Sequence, residues 1–241
     1  MQERYLGDIH DFYKFNFLKF LSLRINEKIG LNWYFVDPKK IGDTEFKKKD
    51  GEKRNYLVKS EYSCLDWELK NEMISLKLQK NRKLKEFTKK THLKKFVDFY
   101  NEELSTANRK LWFKNSISYF KDNNLVFLDP DNGLSKKKNN NKNSIKYVFF
   151  DEIKEYNQNG KTIIYTQFQS FNKNHKVFLL EIVKFLRSKN LKVDLPIVRN
   201  RTAPNTFFLT IGNNKNLSRI LRKTYQNYKV ADCDDVELVT V

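Results

Sequence analysis

The stretch that most constrains the fold is LVFLDPDNGL at residues 125–134. Its opening run of apolar residues is typical of a central strand that is covered on both faces. We expect the strand to end at Asp129, because Pro130 cannot continue a β-ladder and Asn132-Gly133 favours a turn with positive φ. Carboxylates and a carboxamide are therefore predicted at the carboxyl end of a core strand, where open α/β sheets bind ligands. A plain strand-to-turn exit is the alternative, since these are also ordinary turn residues.

The charge of the chain indicates an anionic partner. Lysine and arginine number 47 against 29 aspartate and glutamate residues, which gives a formal net charge of +18. An excess of this size favours polyanions, and nucleic acid is the partner that we expect. The abundance of Lys, Asn, Phe, Ile and Tyr offers another source for part of the excess, namely an AT-rich genome. The candidate nucleic-acid contacts are Arg82, Lys83 and Lys85 in a basic helical segment and Lys136, Lys137 and Lys138 in a low-complexity loop; a solvated surface is the alternative for both.

Several classes of protein are disfavoured by the sequence. No run of 18 apolar residues occurs, so neither a membrane-spanning helix nor a membrane partner is expected. The first residues carry acids and lack the pattern of a signal peptide. Cys64 and Cys233 are far apart and form no CxxC or Cys/His pattern, which argues against a zinc site or a disulfide scaffold. These features predict a cytoplasmic protein.

Hydrophobic periodicity predicts one α/β domain over residues 1–241. The predicted fold is a Rossmann-like, methyltransferase-type sheet that is mainly parallel, with an antiparallel edge and a helical insertion at residues 60–122. The first helix is predicted at residues 5–23 with Asp8 as its N-cap, and His10 on it is expected at the surface without a partner. Other predicted helices are 147–157, 173–188 and 217–228, and the predicted strands are 31–36, 125–129, 161–168, 191–198 and 206–211. Residues 42–54 are predicted to be a loop and residues 231–241 a flexible acidic tail.

Four segments resemble a bacterial protein family that carries a DPDNG motif. They are GDIHDFYKF at residues 7–15, NWYFVDP at 32–38, FLDPDNGL at 127–134 and KYVFFDEI at 146–153. The resemblance covers most of the chain and implies no particular chemistry. A later strand of that family usually reads Tyr-Gln-His-Phe, whereas residues 165–168 read Tyr-Thr-Gln-Phe and lack the histidine.

More remotely, the chain is similar to the large-subunit ribosomal RNA adenine-N6 methyltransferase family. That family begins with a Gly-Asn-His-Ala-Asp-Val-Leu-Lys-His stretch beside its S-adenosylmethionine site. Gly7, Asp11 and Lys14 fall on its Gly, Asp and Lys, and Asp37 would match the acid that ends its first strand. The resemblance therefore implies S-adenosylmethionine as the cofactor, bound by these four residues.

The same resemblance bears on the catalytic motif. Asp129 and Pro130 match the start of the family's Asp-Pro-Pro-Tyr motif, but Asp131 and Asn132 stand in place of Pro-Tyr. The aromatic side chain that would stack on a flipped adenine is therefore missing. The glycine-rich turn after the first strand is also absent, so the similarity of fold is stronger than the similarity of activity.

Three functions remain open at this point. In methyl transfer to a nucleobase, which we place first, Asp129 would fix the target amine and Asn132 would orient the base. In a metal-dependent nuclease, Asp131 and Glu152 would hold Mg²⁺ or Mn²⁺ and Lys154 would assist the attacking water. That PD…ExK pattern normally has its ExK on a strand, whereas a helix is predicted here. The third function is a non-catalytic module that binds nucleic acid through its basic faces.

Overall fold

The computed structural model describes residues 1–48, 53–59, 66–78, 82–138, 141–170, 172–202, 204–228 and 235–241. Cys64, Cys233 and residues 231–234 of the predicted tail lie outside the described residues. The helices are α1 Ile9–Ile25, α2 Pro38–Ile41, α3 Asp43–Phe46, α4 Trp67–Leu78, α5 Leu84–Lys90, α6 Arg109–Tyr119, α7 Phe150–Gln158, α8 His175–Ser188 and α9 Lys215–Gln226. The strands are β1 Ile29–Asn32, β2 Val97–Tyr100, β3 Leu125–Leu128, β4 Leu134–Ser135, β5 Val148–Phe149, β6 Thr162–Phe168, β7 Ile197–Asn200, β8 Thr206–Ile211 and β9 Val236–Val239. Among the described helices, none is long and apolar enough to cross a bilayer.

Strand β3 lies between two hydrophobic cores, as its unbroken apolar sequence predicts. Leu125 and Phe127 pack into the core that α1, α4 and α9 cover, whereas Val126 and Leu128 pack into the core that α6, α7 and α8 cover. All four side chains are fully buried. Because successive side chains of a strand point to opposite faces, one apolar run supplies both cores.

The main sheet has the strand order β2-β1-β3-β6-β8-β7-β9 within the described residues. The strands β2, β1, β3 and β6 are parallel, and β8, β7 and β9 each run antiparallel to the preceding neighbour. The expected α/β sheet, parallel in its core and antiparallel towards one edge, is therefore confirmed. The chain places β2 on one side of β1 and then β3 on the other. Such a reversal of direction is where open α/β sheets commonly bind ligands.

The region predicted as a helical insertion, residues 60–122, is not entirely helical. It contains β2, which pairs in parallel with β1 from Ile29↔Val97 to Asn32↔Tyr100. The apolar spacing of this segment fits either a helix or a buried strand, so periodicity alone could not decide. Pairing decides it, because the backbone groups at the edge of β1 find hydrogen-bond partners in β2.

Other predictions are wrong in type or in boundary. The end of the predicted acidic tail forms β9, which pairs with β7. The described part of the predicted loop at 42–54 contains the helix α3. In the segment predicted as a helix at 147–157, the first residues form the short strand β5, and the helix α7 starts at Phe150. Of the strand predicted at 191–198, only residues 197 and 198 are in a strand, and that strand, β7, continues to Asn200. Strand β1 begins and ends earlier than the strand predicted at 31–36. These errors concern short elements, whose type depends on contacts with distant parts of the chain.

Candidate functional site

A cavity of about 630 Å³ lies at the carboxyl ends of β3 and β6. Its walls come from the first turn of α1, the turn after β3, the end of β6 and the start of β8. The start of β8 reaches the same edge of the sheet as the end of β6 because these two strands are antiparallel. The volume is in the range of small-molecule and cofactor sites. The turn after β3 thus borders a cavity, which a plain strand-to-turn exit would not require.

Lys14 links α1 to the end of β3. Its Nζ lies 2.5 Å from Asp11 Oδ1 and 2.6 Å from Asp129 Oδ2, and all three side chains are buried. The N–H of Asp129 donates to the Asn32 carbonyl at 2.9 Å, and its Oδ1 accepts from the Thr166 hydroxyl at 3.0 Å. Lys14 of α1 and Thr166 of β6 therefore hold the Asp129 carboxylate in one orientation, while the backbone bond to β1 holds its main chain.

The start of α1 positions the Asp11 carboxylate that pairs with Lys14. As predicted, Asp8 is the N-cap, and its Oδ1 accepts from the N–H groups of His10 and Asp11 at 2.9 and 3.1 Å. The N–H of Gly7 donates to Asp11 Oδ2 at 2.8 Å. Asp11 therefore accepts from Gly7 at one oxygen and pairs with Lys14 at the other, which fixes α1 against the cavity.

Burial perturbs the titration of this cluster. Burial alone would lower the pKa of Lys14, but the carboxylates of Asp11 and Asp129 outweigh it and raise the pKa. Burial, reinforced by the Asp11 carboxylate, raises the pKa of Asp8 well above its ordinary value. Burial, helped by two nearby lysine side chains, lowers the pKa of His10 to about 4. At neutral pH the cavity is therefore bordered by a charged Lys14 and a neutral His10 imidazole.

Two polar residues of the turn after β3 line the cavity. Asp131 Oδ2 accepts from Gln2 Nε2 at 2.9 Å, and its Oδ1 lies 2.7 Å from the amino group of Met1. The N–H of Asn132 donates to the Lys146 carbonyl at 2.9 Å, and its side chain is half-buried at the cavity wall. The backbone of the turn is thereby fixed while the Asn132 carboxamide borders the cavity.

The glycine of the turn allows close contact with β6. Gly133 has φ +86°, as the Asn-Gly sequence predicts, and a Cβ at this position would lie 2.4 Å from Gln167 Oε1. Gln167 Oε1 also accepts from the N–H of Leu134 at 2.9 Å. Any larger residue at 133 would have to displace Gln167 from the cavity wall.

Most of the residues predicted from the resemblance to the methyltransferases come together at the cavity, but Asp37 does not. Asp37 is the N-cap of α2, where its Oδ1 accepts from the N–H of Lys39 at 3.0 Å, and it does not line the cavity. The reason is that β1 ends at Asn32, after which Tyr34 adopts a positive φ of 47° and the chain leaves the sheet. The predicted residues that the structure gathers at the cavity or in contact with its wall are Gly7, Asp11, Lys14, Asp129, Asp131 and Asn132.

The residues predicted for a metal-dependent nuclease are separated. Glu152 lies on α7 outside the cavity, and its two oxygens lie 2.7 Å from Nε and Nη2 of Arg109, with the Tyr34 hydroxyl donating at 3.2 Å. Lys154 is exposed, because residues two apart on a helix point in different directions. The helix predicted for this segment is confirmed from residue 150 onwards. In the part of the chain that the structure describes, no group of three or more His, Cys, Asp or Glu side chains is arranged to hold a metal ion.

The predicted basic contacts lie at the surface away from the cavity. Lys138 pairs with Asp151 at 2.9 Å, and Lys83 pairs with Glu3 at 3.0 Å. Arg82 is half-buried and donates to the carbonyl of Arg4 at 3.0 Å. The exposed members of the set are Lys83, Lys85, Lys136, Lys137 and Lys138.

His10 and Phe168 are cavity residues that the sequence motifs did not predict. His10 is not an unpartnered surface residue: its ring meets Phe168 edge to face at 5.4 Å between centroids, and its Nδ1 lies 3.3 Å from Thr202 Oγ1. Both rings line the cavity. The end of β6 could have been found by the rule applied to β3, since Thr166 and Gln167 are polar residues at the carboxyl end of a buried strand.

No protein-family model, curated protein or solved structure matches this chain. The class of protein is therefore defined by the fold and the site together: an α/β protein with a cavity, lined by both polar and apolar groups, at the carboxyl ends of its parallel strands. The cavity joins a fixed carboxylate at Asp129, a neutral imidazole at His10 and a partly exposed aromatic ring at Phe168. Such a set can accept hydrogen bonds from an amine and stack against a planar ring.

Proposed function

We propose that this protein is a nucleic-acid-acting enzyme of the methyltransferase-like type, which modifies a nucleobase in the cavity beside Asp129. The observation that carries the proposal is the convergence of Asp129, Lys14 and Asp11 at this cavity. These are the residues that the resemblance to the adenine-N6 methyltransferases singles out. The parallel pairing of β2, β1, β3 and β6 supports a Rossmann-like sheet, and the cavity lies at the carboxyl ends of β3 and β6, the edge at which open α/β sheets bind their ligands.

The residues of the cavity fit S-adenosylmethionine, which would supply the methyl group. Gln2 is 1% exposed, and its Oε1 is a buried acceptor without a hydrogen-bond partner at the cavity wall. Such an acceptor suits an ammonium or amine donor. Asp11 and Lys14 also border the cavity and would hold the charged end of the cofactor.

The chain's own residues have separable tasks in this proposal. Lys14 and Thr166 hold the Asp129 carboxylate so that it can accept a hydrogen bond from an exocyclic amine of the base. Asn132 would pair with the polar edge of the base, which a carboxamide can do in a bidentate manner. Phe168 would stack on the base and so replace the aromatic side chain that the motif lacks. Stacking of this kind is worth about 1–3 kcal/mol per base.

The test is transfer of labelled methyl groups from S-adenosylmethionine to mixed RNA and DNA oligonucleotides. We expect incorporation by the wild type and a loss of about 100-fold or more in Asp129→Asn. Asp194→Asn is the matched control, since Asp194 is 55% exposed and does not line the cavity. Asn132→Ala is a second variant that leaves the Lys14 ion pairs intact. Folded wild type that neither incorporates label nor melts at a higher temperature with S-adenosylmethionine would contradict the proposal.

A nucleic-acid-binding module without catalysis is the second candidate. It is favoured by the net charge of +18 and by the exposed lysines of the basic segments. Binding of oligonucleotides that is identical in wild type and Asp129→Asn, without methyl incorporation, would support this candidate. The alternative of a nuclease built on Asp131, Glu152 and Lys154 is less well supported, because Arg109 engages both oxygens of Glu152.

A further inference from the structure

The Glu45 carboxylate at the wall of the cavity forms ion pairs with three cationic side chains. Glu45 Oε1 lies 3.0 Å from Arg4 Nη2 and 3.2 Å from Lys146 Nζ, and Glu45 Oε2 lies 2.9 Å from Lys48 Nζ. Gln2 Nε2 donates to Glu45 Oε1 at 2.9 Å. Glu45 is 7% exposed, so these contacts form in a largely buried place. We refer to Glu45, Lys48 and Lys146 with Arg4 as the Glu45 cluster.

The Glu45 cluster gives the cavity two ends of opposite character. Lys48, Lys146 and Arg4 surround Glu45, and the amino group of Met1 pairs with the neighbouring Asp131, so four cations face two carboxylates and this end has a surplus of positive charge. Beside α1, Asp11 and Asp129 share Lys14, so that part of the cavity presents carboxylate oxygens that accept hydrogen bonds. A ligand that fits both ends therefore carries an anionic group and a hydrogen-bond donor.

The cations of the cluster are fixed by the backbone of the site. The carbonyl of Lys146 accepts from the N–H of Asn132 at 2.9 Å, which ties Lys146 to the turn after β3. Arg4 Nη1 donates to the carbonyls of Glu45 and Lys48 at 3.0 and 2.9 Å, which ties the end of α3 to the amino-terminal segment. The Lys146 side chain is 12% exposed, so little further entropy is lost when it binds an anion.

Glu45 remains ionised throughout the neutral range. Burial by itself would raise the pKa of Glu45, but hydrogen bonds from Gln2, Lys48 and Lys146 outweigh it and lower the pKa to about 2. The carboxylate is therefore a permanent anion among cations, in the position that an anionic ligand group would take. Lysine and arginine bind phosphate oxygens through the same charge-assisted hydrogen bonds.

We propose that the Glu45 cluster is the phosphate-binding subsite of this cavity, in which Glu45 is an internal anion that a phosphate ester of the substrate displaces. The proposal deepens the proposed function and rests on it, since it gives the phosphate of the nucleotide and the base opposite ends of one cavity. Displacement of Glu45 releases Lys48 and Lys146 to a phosphate that carries more charge and more acceptor oxygens than the carboxylate. The phosphate comes either from a polynucleotide backbone or from a free nucleotide.

The test compares binding by variants of the full chain without any methyl donor. The probes are inorganic phosphate, a nucleoside monophosphate and a fluorescent single-stranded oligonucleotide, each titrated at several salt concentrations. Glu45→Gln removes the internal anion, and Glu181→Gln removes the same charge from an exposed ion pair on α8 that does not line the cavity. We expect Glu45→Gln to bind the phosphate probes about tenfold more tightly than Glu181→Gln.

The lysine variants test the same subsite from the opposite direction. Lys146→Gln should weaken binding about tenfold and reduce the salt slope for the single-stranded oligonucleotide by about 0.7, because one phosphate contact is lost. Lys173→Gln, from the exposed pair with Glu181, should leave affinity and slope unchanged. If Lys146→Gln does not fold, as judged by circular dichroism, Lys48→Gln replaces it, because the Lys48 side chain is 40% exposed and its loss leaves a smaller buried gap.

Each outcome decides for or against the subsite. Tighter binding of all three probes by Glu45→Gln indicates a site for phosphate esters in general, and tighter binding of the oligonucleotide alone indicates a backbone phosphate; both support the proposal. Equal binding by Glu45→Gln and Glu181→Gln, or an unchanged salt slope in the lysine variants, overturns it. A protein that passes this test but transfers no methyl group would refute the methyl-transfer proposal alone.

Discussion

Replacement of Lys14 by methionine tests whether the buried carboxylates of Asp11 and Asp129 at the cavity wall depend on this one ammonium group. Methionine retains most of the side-chain length but leaves Asp11 and Asp129 without a counter-charge. At an effective dielectric constant of about 20, contacts at 2.5 and 2.6 Å correspond to about 6–7 kcal/mol of Coulomb energy each before desolvation is counted. After desolvation, loss of one partner from a buried pair typically costs about 3–5 kcal/mol. We expect Lys14→Met to lower the free energy of unfolding by this amount at pH 7.

The pH dependence separates this explanation from a simple loss of packing. Without Lys14, burial and the neighbouring Asp129 charge raise the pKa of Asp11 in the folded state still further above its unfolded value. The folded state then binds more protons than the unfolded state, so stability increases as the pH falls. The penalty in Lys14→Met should therefore be smaller at pH 5 than at pH 7, as measured by urea unfolding at both values.

A second buried lysine supplies the control for this measurement. Lys161 is 8% exposed, and its Nζ donates to the carbonyl of Lys121 rather than to a carboxylate. Lys161→Met removes a comparable side chain, but the nearby carboxylate of Asp122 is exposed to solvent, so no buried carboxylate is left uncompensated and the cost should not decrease at low pH. A loss of less than about 1 kcal/mol in Lys14→Met at pH 7, or equal losses at both pH values, would refute the reasoning.

Three further predictions concern the site and its support. Gly133→Ala should cost about 1–3 kcal/mol more than Gly160→Ala in urea unfolding, because both need positive φ but only the Cβ at 133 meets Gln167; equal costs would contradict this. Arg109→Met should cost about 3–5 kcal/mol, since it leaves a buried carboxylate without its partner, and a near-neutral result would mean that the ion pair is not structural. Between pH 6.5 and 4, the free energy of unfolding of the wild type should fall by up to about 3 kcal/mol relative to that of His10→Gln, because over that range the His10 imidazole gains a proton only in the unfolded state. Parallel curves of stability against pH for the two proteins would refute this.

The sequence by itself determined the centre of this fold. The apolar run of β3 required burial on both faces, and the residues that follow it required a turn with a glycine at positive φ. The N-cap at Asp8 was also local information, because the cap bonds its own first turn. These features depend on neighbours in the chain, so residue type and spacing are sufficient to predict them.

The tertiary structure decided which distant residues share the site. Asp37, like Asp129, is an acid that was predicted at the end of a strand, yet β1 ends early and Asp37 lies outside the cavity. His10 and Phe168 come from distant segments, and their rings contact each other at the cavity wall. Glu152 matched a nuclease pattern, but Arg109 from another helix pairs with it. The segment 97–100 is a strand, β2, because its backbone pairs with the edge of β1. Such outcomes depend on pairing and burial between remote segments, and the free energy of those contacts cannot be read from local sequence.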